Sequence, residues 1–462
     1  MLNSDLTKIL TKFEEIVSPN FANVLARKCK FIQRSTSRLQ GYEFARAMMI
    51  PSAFLEAETL NSLAVRMRKT NKMCNLSASA LAQRLNSQTA QAFMKTCFEK
   101  VLKETIKQDF NCITDLPSIS ELFNRVLIED STRAELHEGL SAYFKGSGGV
   151  ASKASVKIDF VFDYLSEQAV DVDFCSGNKP DQSLSDRILS ILEKGDLLLR
   201  DLGYFFIKSL KKIEEKGAYY ISRWKVNEDV YETKEAKVPL NLAIFFEKQM
   251  NKGLVDVEVF VGKDRHPVRM VACLMSEEAV QKRLRAANRS ASRHGIQISK
   301  KKKALLKYCI FVTNISKEIL SSSSVMAIYR ARWRVELIFK QWKSCLKMHL
   351  FKGYNKERFH CFLYGRLIMC LLLGAIYPIL MRHAYENGRE LSNYKLINYL
   401  IADHSLSRAF EEGKLEDIIE QLLLDMPKLC MDKRRRLSLR SNVRMHKSYY
   451  NELETRSPCP IA

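Results

Sequence analysis

The spacing of apolar residues changes along the chain and separates helical from strand-forming regions. From residue 1 to about residue 108, apolar residues recur at intervals of three and four, which is typical of amphipathic helices. Residues 58–69 form one predicted helix, a second begins after Ser77 or Ser79, and a third begins after Ser87. Short helices with basic residues between them predict a DNA-binding module. A plain helical bundle that packs or dimerises is the alternative.

Near residue 111 the pattern changes to short apolar runs. Residues 125–130 predict a buried strand that ends in Asp130, and residues 196–201 predict a second strand that ends in Asp201. A carboxylate that ends a strand is often only a turn or capping residue. Strand ends nevertheless converge on one edge of an open sheet, where sites are usually built.

The segments around these two strands complete an α/β pattern. Residues 156–164 and 169–174 alternate apolar and polar positions and predict a hairpin. Residues 205–216 predict a helix that Gly217 closes, and another strand follows it. Strands, a helix and a further strand indicate an α/β core.

Residues 225–317 carry three more strand signals and an excess of positive charge. No carboxylate occurs between Glu278 and Glu318, whereas eleven Lys and Arg residues do. This pattern predicts a β-rich insertion with a basic arm, and a solvated charge run is the alternative explanation of the arm.

One later segment places four chemically useful side chains on one helical ridge. Tyr329, Arg332, Glu336 and Lys343 are separated by steps of three, four and seven residues, so an α-helix aligns them beside an apolar stripe. A carboxylate flanked by cations and a phenol can bind a metal ion and grip phosphate oxygens. Ion pairs on a solvated face are the alternative. The helical pattern then resumes as far as about Leu429, before a basic tail.

Composition points to a polyanionic partner. The 462-residue chain is 46% hydrophobic and 27% charged, as in ordinary folded proteins, but its net charge is +22. Nucleic acid is the leading candidate partner and an anionic membrane surface is the alternative. Scattered cysteines without C-x-x-C pairs and the lack of an apolar leader favour a reducing cytosol. Residues 362–381 approach transmembrane length, yet their polar interruptions predict a buried core helix.

Asp130, Asp201 and Glu336 form a possible ligand set for two divalent cations about 4 Å apart. One cation would activate a water molecule or a DNA 3′-hydroxyl, and the other would stabilise the leaving oxygen. Other aspartates in the same region, such as Asp159 and Asp171, are equally acceptable by residue type alone.

Three blocks of sequence decide between these aspartates. The segments LIEDST around Asp130 and RDLGYF around Asp201, followed by Tyr329-x2-Arg332-x3-Glu336-x6-Lys343, resemble the DDE transposases of the insertion-sequence-4 family and their YREK signature. The resemblance spans residues 76–353. It implies that Asp130, Asp201 and Glu336 bind two Mg²⁺ ions, for which Mn²⁺ may substitute.

The same resemblance implies an architecture. We expect a ribonuclease H-like catalytic core, interrupted by a β-rich insertion and flanked by helical N-terminal and C-terminal domains. The expected boundaries are a DNA-binding domain at 1–115, core halves at 116–224 and 318–400, the insertion at 225–317, and a helical region with a basic tail at 401–462.

The family's activity is the hypothesis that follows. The resemblance implies a cut-and-paste transposase that binds the terminal inverted repeats of its element, cleaves the ends and joins them to target DNA. Tyr329, Arg332 and Lys343 would contact phosphates of the transposon end. A homodimer on double-stranded DNA is expected, in the bacterial cytoplasm at the nucleoid and without a membrane partner. A metal-dependent nuclease and an inactive DNA-binding regulator are the alternatives.

Overall fold

The computed structural model describes most of the chain between residues 18 and 431. The described ranges are 18–34, 36–49, 59–106, 119–148, 152–166, 168–226, 228–250, 253–293, 295–330, 353–392 and 415–431, with residues 11, 15, 332, 351, 395, 396 and 399. Glu336 and Lys343, most of the predicted ridge helix and the basic C-terminal tail lie outside the described residues.

Helices and strands alternate through the described residues. The helices are α1 (Pro19–Lys28), α2 (Gly41–Met49), α3 (Leu60–Thr70), α4 (Ala78–Leu85), α5 (Gln88–Ile106), α6 (Ile119–Leu122), α7 (Ile207–Glu215), α8 (Leu242–Gln249), α9 (Glu277–Arg293), α10 (Lys300–Leu305), α11 (Ser322–Arg330), α12 (Lys356–Glu386) and α13 (Leu415–Leu429). The strands are β1 (Val126–Leu136), β2 (Ala154–Asp163), β3 (Gln168–Ser176), β4 (Leu197–Arg200), β5 (Tyr219–Arg223), β6 (Val230–Tyr231), β7 (Leu254–Val261), β8 (His266–Leu274) and β9 (Tyr308–Thr313). The predicted mixed α/β class is confirmed.

The helical pattern of the N-terminal region is confirmed over the residues that the structure describes, 18–34, 36–49 and 59–106. The Ser77 hydroxyl caps α4 by accepting a hydrogen bond from the Ala80 amide at 3.2 Å. This bond satisfies one of the amides that the first helical turn leaves without a helical partner. Helix α5 follows after Ser87 and buries Phe93 and Cys97 on one face.

All nine described strands belong to one mixed sheet, in the order β3-β2-β1-β4-β5-β9-β8-β7-β6. Strand β1 is antiparallel to β2 and parallel to β4, and β4 is parallel to β5. The predicted β2–β3 hairpin and the strand–helix–strand unit from β4 to β5 are confirmed. Gly217 ends that unit's helix with a φ of +72°, a conformation that a residue with a side chain adopts only with strain.

The prediction that a strand ends at Asp130 is wrong. Strand β1 continues to Leu136 and pairs with β2 along that whole length, from Leu127 opposite Asp163 to Leu136 opposite Ala154. Only the parallel ladder with β4 stops here, at Glu129 opposite Arg200. The apolar run ends at Asp130 because the strand gains a partially exposed face there, while its backbone pairing continues.

Helices cover both faces of the sheet. One hydrophobic cluster joins Ile128 and Leu199 to the N-terminal helices and α12, and a second joins Leu127 and Leu198 to α7 and α8. Successive side chains of a strand point to opposite faces. The two clusters therefore also show to which face each charged residue of these strands points.

Helix α12 lies at the centre of the first cluster. Gly365 lets α12 approach α2 closely, since a Cβ atom there would lie 2.2 Å from the Met48 carbonyl oxygen. Within the described residues, Lys356–Met381 is the one helical stretch long and apolar enough to cross a membrane, and 88% of its most apolar window is buried. The predicted buried core helix is therefore confirmed.

Residues 225–317 contribute both strands and helices. Strands β7, β8 and β9 match the three predicted strand signals. Helix α8 precedes β7, and α9 and α10 lie between β8 and β9. Strand β9 pairs with β5 on one side and with β8 on the other. The strands of this segment therefore extend the central sheet.

Candidate catalytic site

The parallel pairing of β1 with β4 brings Asp130 and Asp201 together. The last paired residues of the ladder are Glu129 and Arg200, and each aspartate is the next residue of its segment. Neighbouring strands lie about 4.8 Å apart, and the alternation of side chains directs both aspartates to the face of Ile128 and Leu199. Two carboxylates from distant parts of the chain thus lie side by side.

Asp130 already holds a counter-charge. Its Oδ1 accepts a hydrogen bond from the Ser131 amide at 2.8 Å, and its Oδ2 accepts one from Nη1 of Arg332, also at 2.8 Å. The Asp130 side chain is only 16% exposed and the Arg332 side chain only 12%. An ion pair with so little solvent contact is screened less than a surface pair. Arg332, predicted to contact phosphate, contacts the neighbouring carboxylate in this structure.

Tyr329 supports the end of β4. Its hydroxyl donates a hydrogen bond to the carbonyl oxygen of Arg200 at 3.1 Å, and its ring packs on Phe311 with centroids 4.8 Å apart. Burial raises the pKa of the Tyr329 hydroxyl well above its usual range, and the negative charge of Asp201 raises it further. The hydroxyl therefore stays protonated and fixes the backbone immediately before Asp201.

Four of the six predicted site residues can be placed, and they come together: Asp130, Asp201, Tyr329 and Arg332. Glu336 and Lys343 lie outside the described residues. Among the residues that are described, no three His, Cys, Asp or Glu side chains form a cluster able to hold a metal ion. The paired aspartates nevertheless fit Mg²⁺, because carboxylate oxygens are the ligands it prefers and few protein ligands suffice.

A buried ion pair lies on the opposite face of the sheet, directly behind the two aspartates. Arg200 Nε donates to Glu129 Oε2 at 2.6 Å, and Arg200 Nη1 donates to the Ser209 hydroxyl at 3.0 Å. Burial raises the pKa of the Glu129 carboxyl, and the Arg200 guanidinium opposes that shift. The pair ties together the two strand positions that precede Asp130 and Asp201.

The D-x-G-Y block around Asp201 has a structural explanation that the sequence did not provide. A Cβ atom at Gly203 would lie 2.8 Å from Oδ2 of Asp181, so any larger residue there would displace the Asp181 carboxylate. The Tyr204 hydroxyl donates to the buried carboxylate of Asp159. Asp159 was an alternative metal ligand by residue type, but its carboxylate accepts hydrogen bonds from Tyr204 and Arg187 on the other face of the sheet.

Asp181 adds a further carboxylate on the face of the sheet opposite to Asp130 and Asp201. Its Oδ1 accepts hydrogen bonds from the Ser131 hydroxyl at 2.7 Å and from Lys157 Nζ at 2.6 Å. Lys157 is fully buried, whereas the Asp181 side chain is 31% exposed. These contacts anchor the loop before β4 to the residue that follows Asp130. In the sequence, the charged residues inside the otherwise apolar strand β2 are the signal that indicates these buried polar contacts.

The fold and the site define a class of protein. Two adjacent carboxylates at the end of a parallel ladder, in a mixed α/β sheet with the Arg332 guanidinium beside them, are suited to metal-assisted phosphoryl transfer. Comparison with known proteins agrees: the family described as "Transposase DDE domain" matches residues 121–373, more than half of the chain.

Whole-chain relatives point the same way. The chain is 29% identical over 422 residues to the transposase for insertion sequence element IS231E of Bacillus thuringiensis subsp. finitimus, covering 87% of this chain and 86% of that protein. It is 27% identical over 471 residues to the transposase for IS1151 of Clostridium perfringens, covering 98% and 97%. The chain belongs to the DDE transposases, enzymes that cleave DNA and transfer its strands.

Proposed function

We propose that this enzyme is a cut-and-paste transposase. It binds the terminal inverted repeats of its own insertion sequence, cleaves the ends and joins them to target DNA. The observation that carries the proposal is the position of Asp130 beside Asp201. Arg332, which lies 202 residues after Asp130 in the sequence, forms a hydrogen bond with the Asp130 carboxylate. The finer architecture that goes with it is a ribonuclease H-like core with the boundaries expected from the sequence.

Asp130, Asp201 and Glu336 would hold two Mg²⁺ ions, which Mn²⁺ may replace. When bound, these ions supply a nucleophile at neutral pH and stabilise the leaving oxygen. The chain's own residues prepare the ligands: the Glu129–Arg200 pair holds both strands in register, and the Tyr329 hydroxyl fixes the backbone before Asp201.

Arg332 would have two positions during the reaction. In this structure its guanidinium neutralises Asp130. With a cation bound at that carboxylate, the Arg332 guanidinium would donate instead to a phosphate of the transposon end, a pairing that its planar geometry favours. Lys343 would contribute a second phosphate contact. Tyr329 would contribute a third only by releasing the hydrogen bond that its buried hydroxyl donates to the Arg200 carbonyl oxygen in this structure.

The partners follow from the activity. Double-stranded DNA, both transposon ends and target, is the substrate, and a homodimer would hold the two ends together. The relatives named above are transposases of bacterial insertion sequences. The bacterial cytoplasm, at the nucleoid, is the proposed location.

A strand-cleavage assay tests the proposal. The full-length protein is incubated with Mg²⁺ and DNA that carries the element's terminal repeats. Wild type should cut at the repeat boundary and yield joined products, and Asp201→Ala should yield neither. The control variant Asp173→Ala changes an exposed aspartate on β3 and should cut normally. Cleavage without joining would indicate a nuclease, and tight binding without cleavage under Mg²⁺ or Mn²⁺ would indicate a regulator.

A further inference from the structure

Helix α9 carries a stripe of exposed cations on the side that faces away from the sheet. The stripe consists of Lys282, Arg285, Arg289 and Arg293, all exposed. Their spacing of three, four and four residues confines them to roughly 80° of the helix circumference and extends them over about 16 Å. The four positive charges therefore form one continuous row.

The opposite side of α9 packs onto the protein. Ala279 and Ala291 are buried, and Arg283 turns inward, where its Nη1 donates to the Tyr308 carbonyl oxygen at 2.9 Å. Arg283 is thus a structural cation, whereas the stripe residues form no ion pair with any carboxylate in the described part of the chain. Arg289 Nε makes only a long contact, 3.4 Å, with the carbonyl oxygen of Arg285 on the same helix.

The stripe lies on the same face of the sheet as the candidate catalytic site. Ala279 belongs to the hydrophobic cluster that also contains Ile128, Leu199 and Tyr329. The inward-turned Arg283 fixes α9 above the start of β9, which is two strands from β4, or about 10 Å across the sheet.

Arg223 connects the stripe to the site. Ser222 of β5 pairs with Arg200 of β4, so the next residues, Arg223 and Asp201, lie opposite each other. On its other side, Arg223 pairs with Phe311 of β9. Arg223 therefore lies between the position of Asp201 and β9, the strand to which Arg283 attaches α9. Arg223 and Arg283 are thus two cations between the row of the aspartates and α9.

We propose that the α9 stripe binds the phosphate backbone of double-stranded DNA and guides the duplex to the Asp130–Asp201 site. This inference rests on the proposed function and names a surface for it. Charge complementarity selects the partner, since B-DNA carries one negative charge per about 1.7 Å of its axis and a 16 Å row spans about five base pairs. Backbone contacts of this kind position the duplex and carry no sequence information.

The test measures how binding of duplex DNA depends on salt. Full-length protein is titrated into a labelled 30-base-pair duplex without terminal repeats, in EDTA and at several KCl concentrations. The stripe variant carries Lys282→Gln, Arg285→Gln, Arg289→Gln and Arg293→Gln. Each lost phosphate contact should reduce the slope of log K against log[salt] by about 0.9, so the variant's slope should fall by about 3.6.

A matched variant controls for net charge. It removes three exposed lysines of α7 and the exposed lysine that caps its C-terminus, on the opposite face of the sheet, by Lys208→Gln, Lys211→Gln, Lys212→Gln and Lys216→Gln. Its slope should stay within about one unit of wild type. Equal slopes for the two variants would overturn the proposal.

Two further readouts separate the alternatives. Both variants are sedimented with vesicles that contain phosphatidylserine. If the stripe variant loses vesicle binding but keeps the wild-type salt slope for DNA, α9 binds a membrane and the proposal is overturned. Circular dichroism confirms that both variants fold. The salt slope is measured without metal, so it stands apart from the cleavage assay: wild type that fails to cut repeat DNA contradicts the proposed function, whatever the slope.

Discussion

Replacement of Arg332 by Met should tighten the binding of Mg²⁺ to the enzyme in the absence of DNA. Arg332 occupies Oδ2 of Asp130, while Oδ1 is already engaged by the Ser131 amide. A cation that uses Oδ2 must displace the guanidinium and also approach its positive charge. Met keeps much of the apolar stem of the side chain but removes both obstacles.

The size of the effect follows from that contact. A hydrogen bond to a charged group contributes about 1.5–3 kcal/mol, and wild type loses this bond when the metal binds. Since about 1.4 kcal/mol corresponds to a factor of ten in Kd, Arg332→Met should bind Mg²⁺ about ten- to a hundredfold more tightly. In EDTA the same variant should be less stable than wild type, because it lacks the largely buried ion pair between Arg332 and Asp130.

Calorimetric titration of the DNA-free protein with Mg²⁺ measures this directly. Arg133→Met is the control, because Arg133 is an exposed cation on the same strand as Asp130. Its affinity for Mg²⁺ should match that of wild type. If Arg332→Met binds Mg²⁺ as weakly as wild type, Arg332 does not compete with the metal and the reasoning is refuted.

Two predictions concern other parts of the structure. Tyr329→Phe removes the hydrogen bond to the Arg200 carbonyl and keeps the ring, so urea denaturation should show a loss of about 0.5–1.5 kcal/mol; an unchanged unfolding free energy would mean that the hydroxyl does not anchor β4. Burial lowers the pKa of the His360 imidazole from its ordinary 6.5 to about 4. The neutral ring therefore contributes stability above about pH 6.5, and this contribution is lost as the pH falls towards 4, because the unfolded chain binds the proton more readily. Urea denaturation across pH 4 to 7 should show a flatter profile for His360→Phe than for wild type; superimposable profiles would contradict the shift.

Local patterns were enough to predict most elements of this fold. The helices before residue 106, the β2–β3 hairpin and the unit from β4 to β5 follow from apolar spacing, capping residues and Gly217. These signals are local, since each depends on residues within one element or one turn. The same local signal predicts a strand that ends in Asp201, and the observed strand ends one residue earlier, at Arg200.

Features that depend on distant pairing could not be read locally. The sequence cannot show that β1 continues beyond Asp130, because only β2 supports it there. Nor does it show that Glu129 pairs with Arg200, 71 residues away, or that β7 to β9 extend the same sheet. The choice of Asp130 and Asp201 over Asp159 came from the resemblance of whole blocks, and the structure gives Asp159 a different set of partners.

Metal-specific rescue tests the central claim most directly, that Asp201 is a metal ligand of a DNA-cleaving site. Asp201→Cys replaces a hard oxygen ligand by a thiolate, which binds Mn²⁺ better than Mg²⁺. We predict that this variant fails to cleave terminal-repeat DNA with Mg²⁺ and recovers cleavage with Mn²⁺, whereas wild type cleaves with both. Normal cleavage by Asp201→Cys in Mg²⁺ would contradict the account.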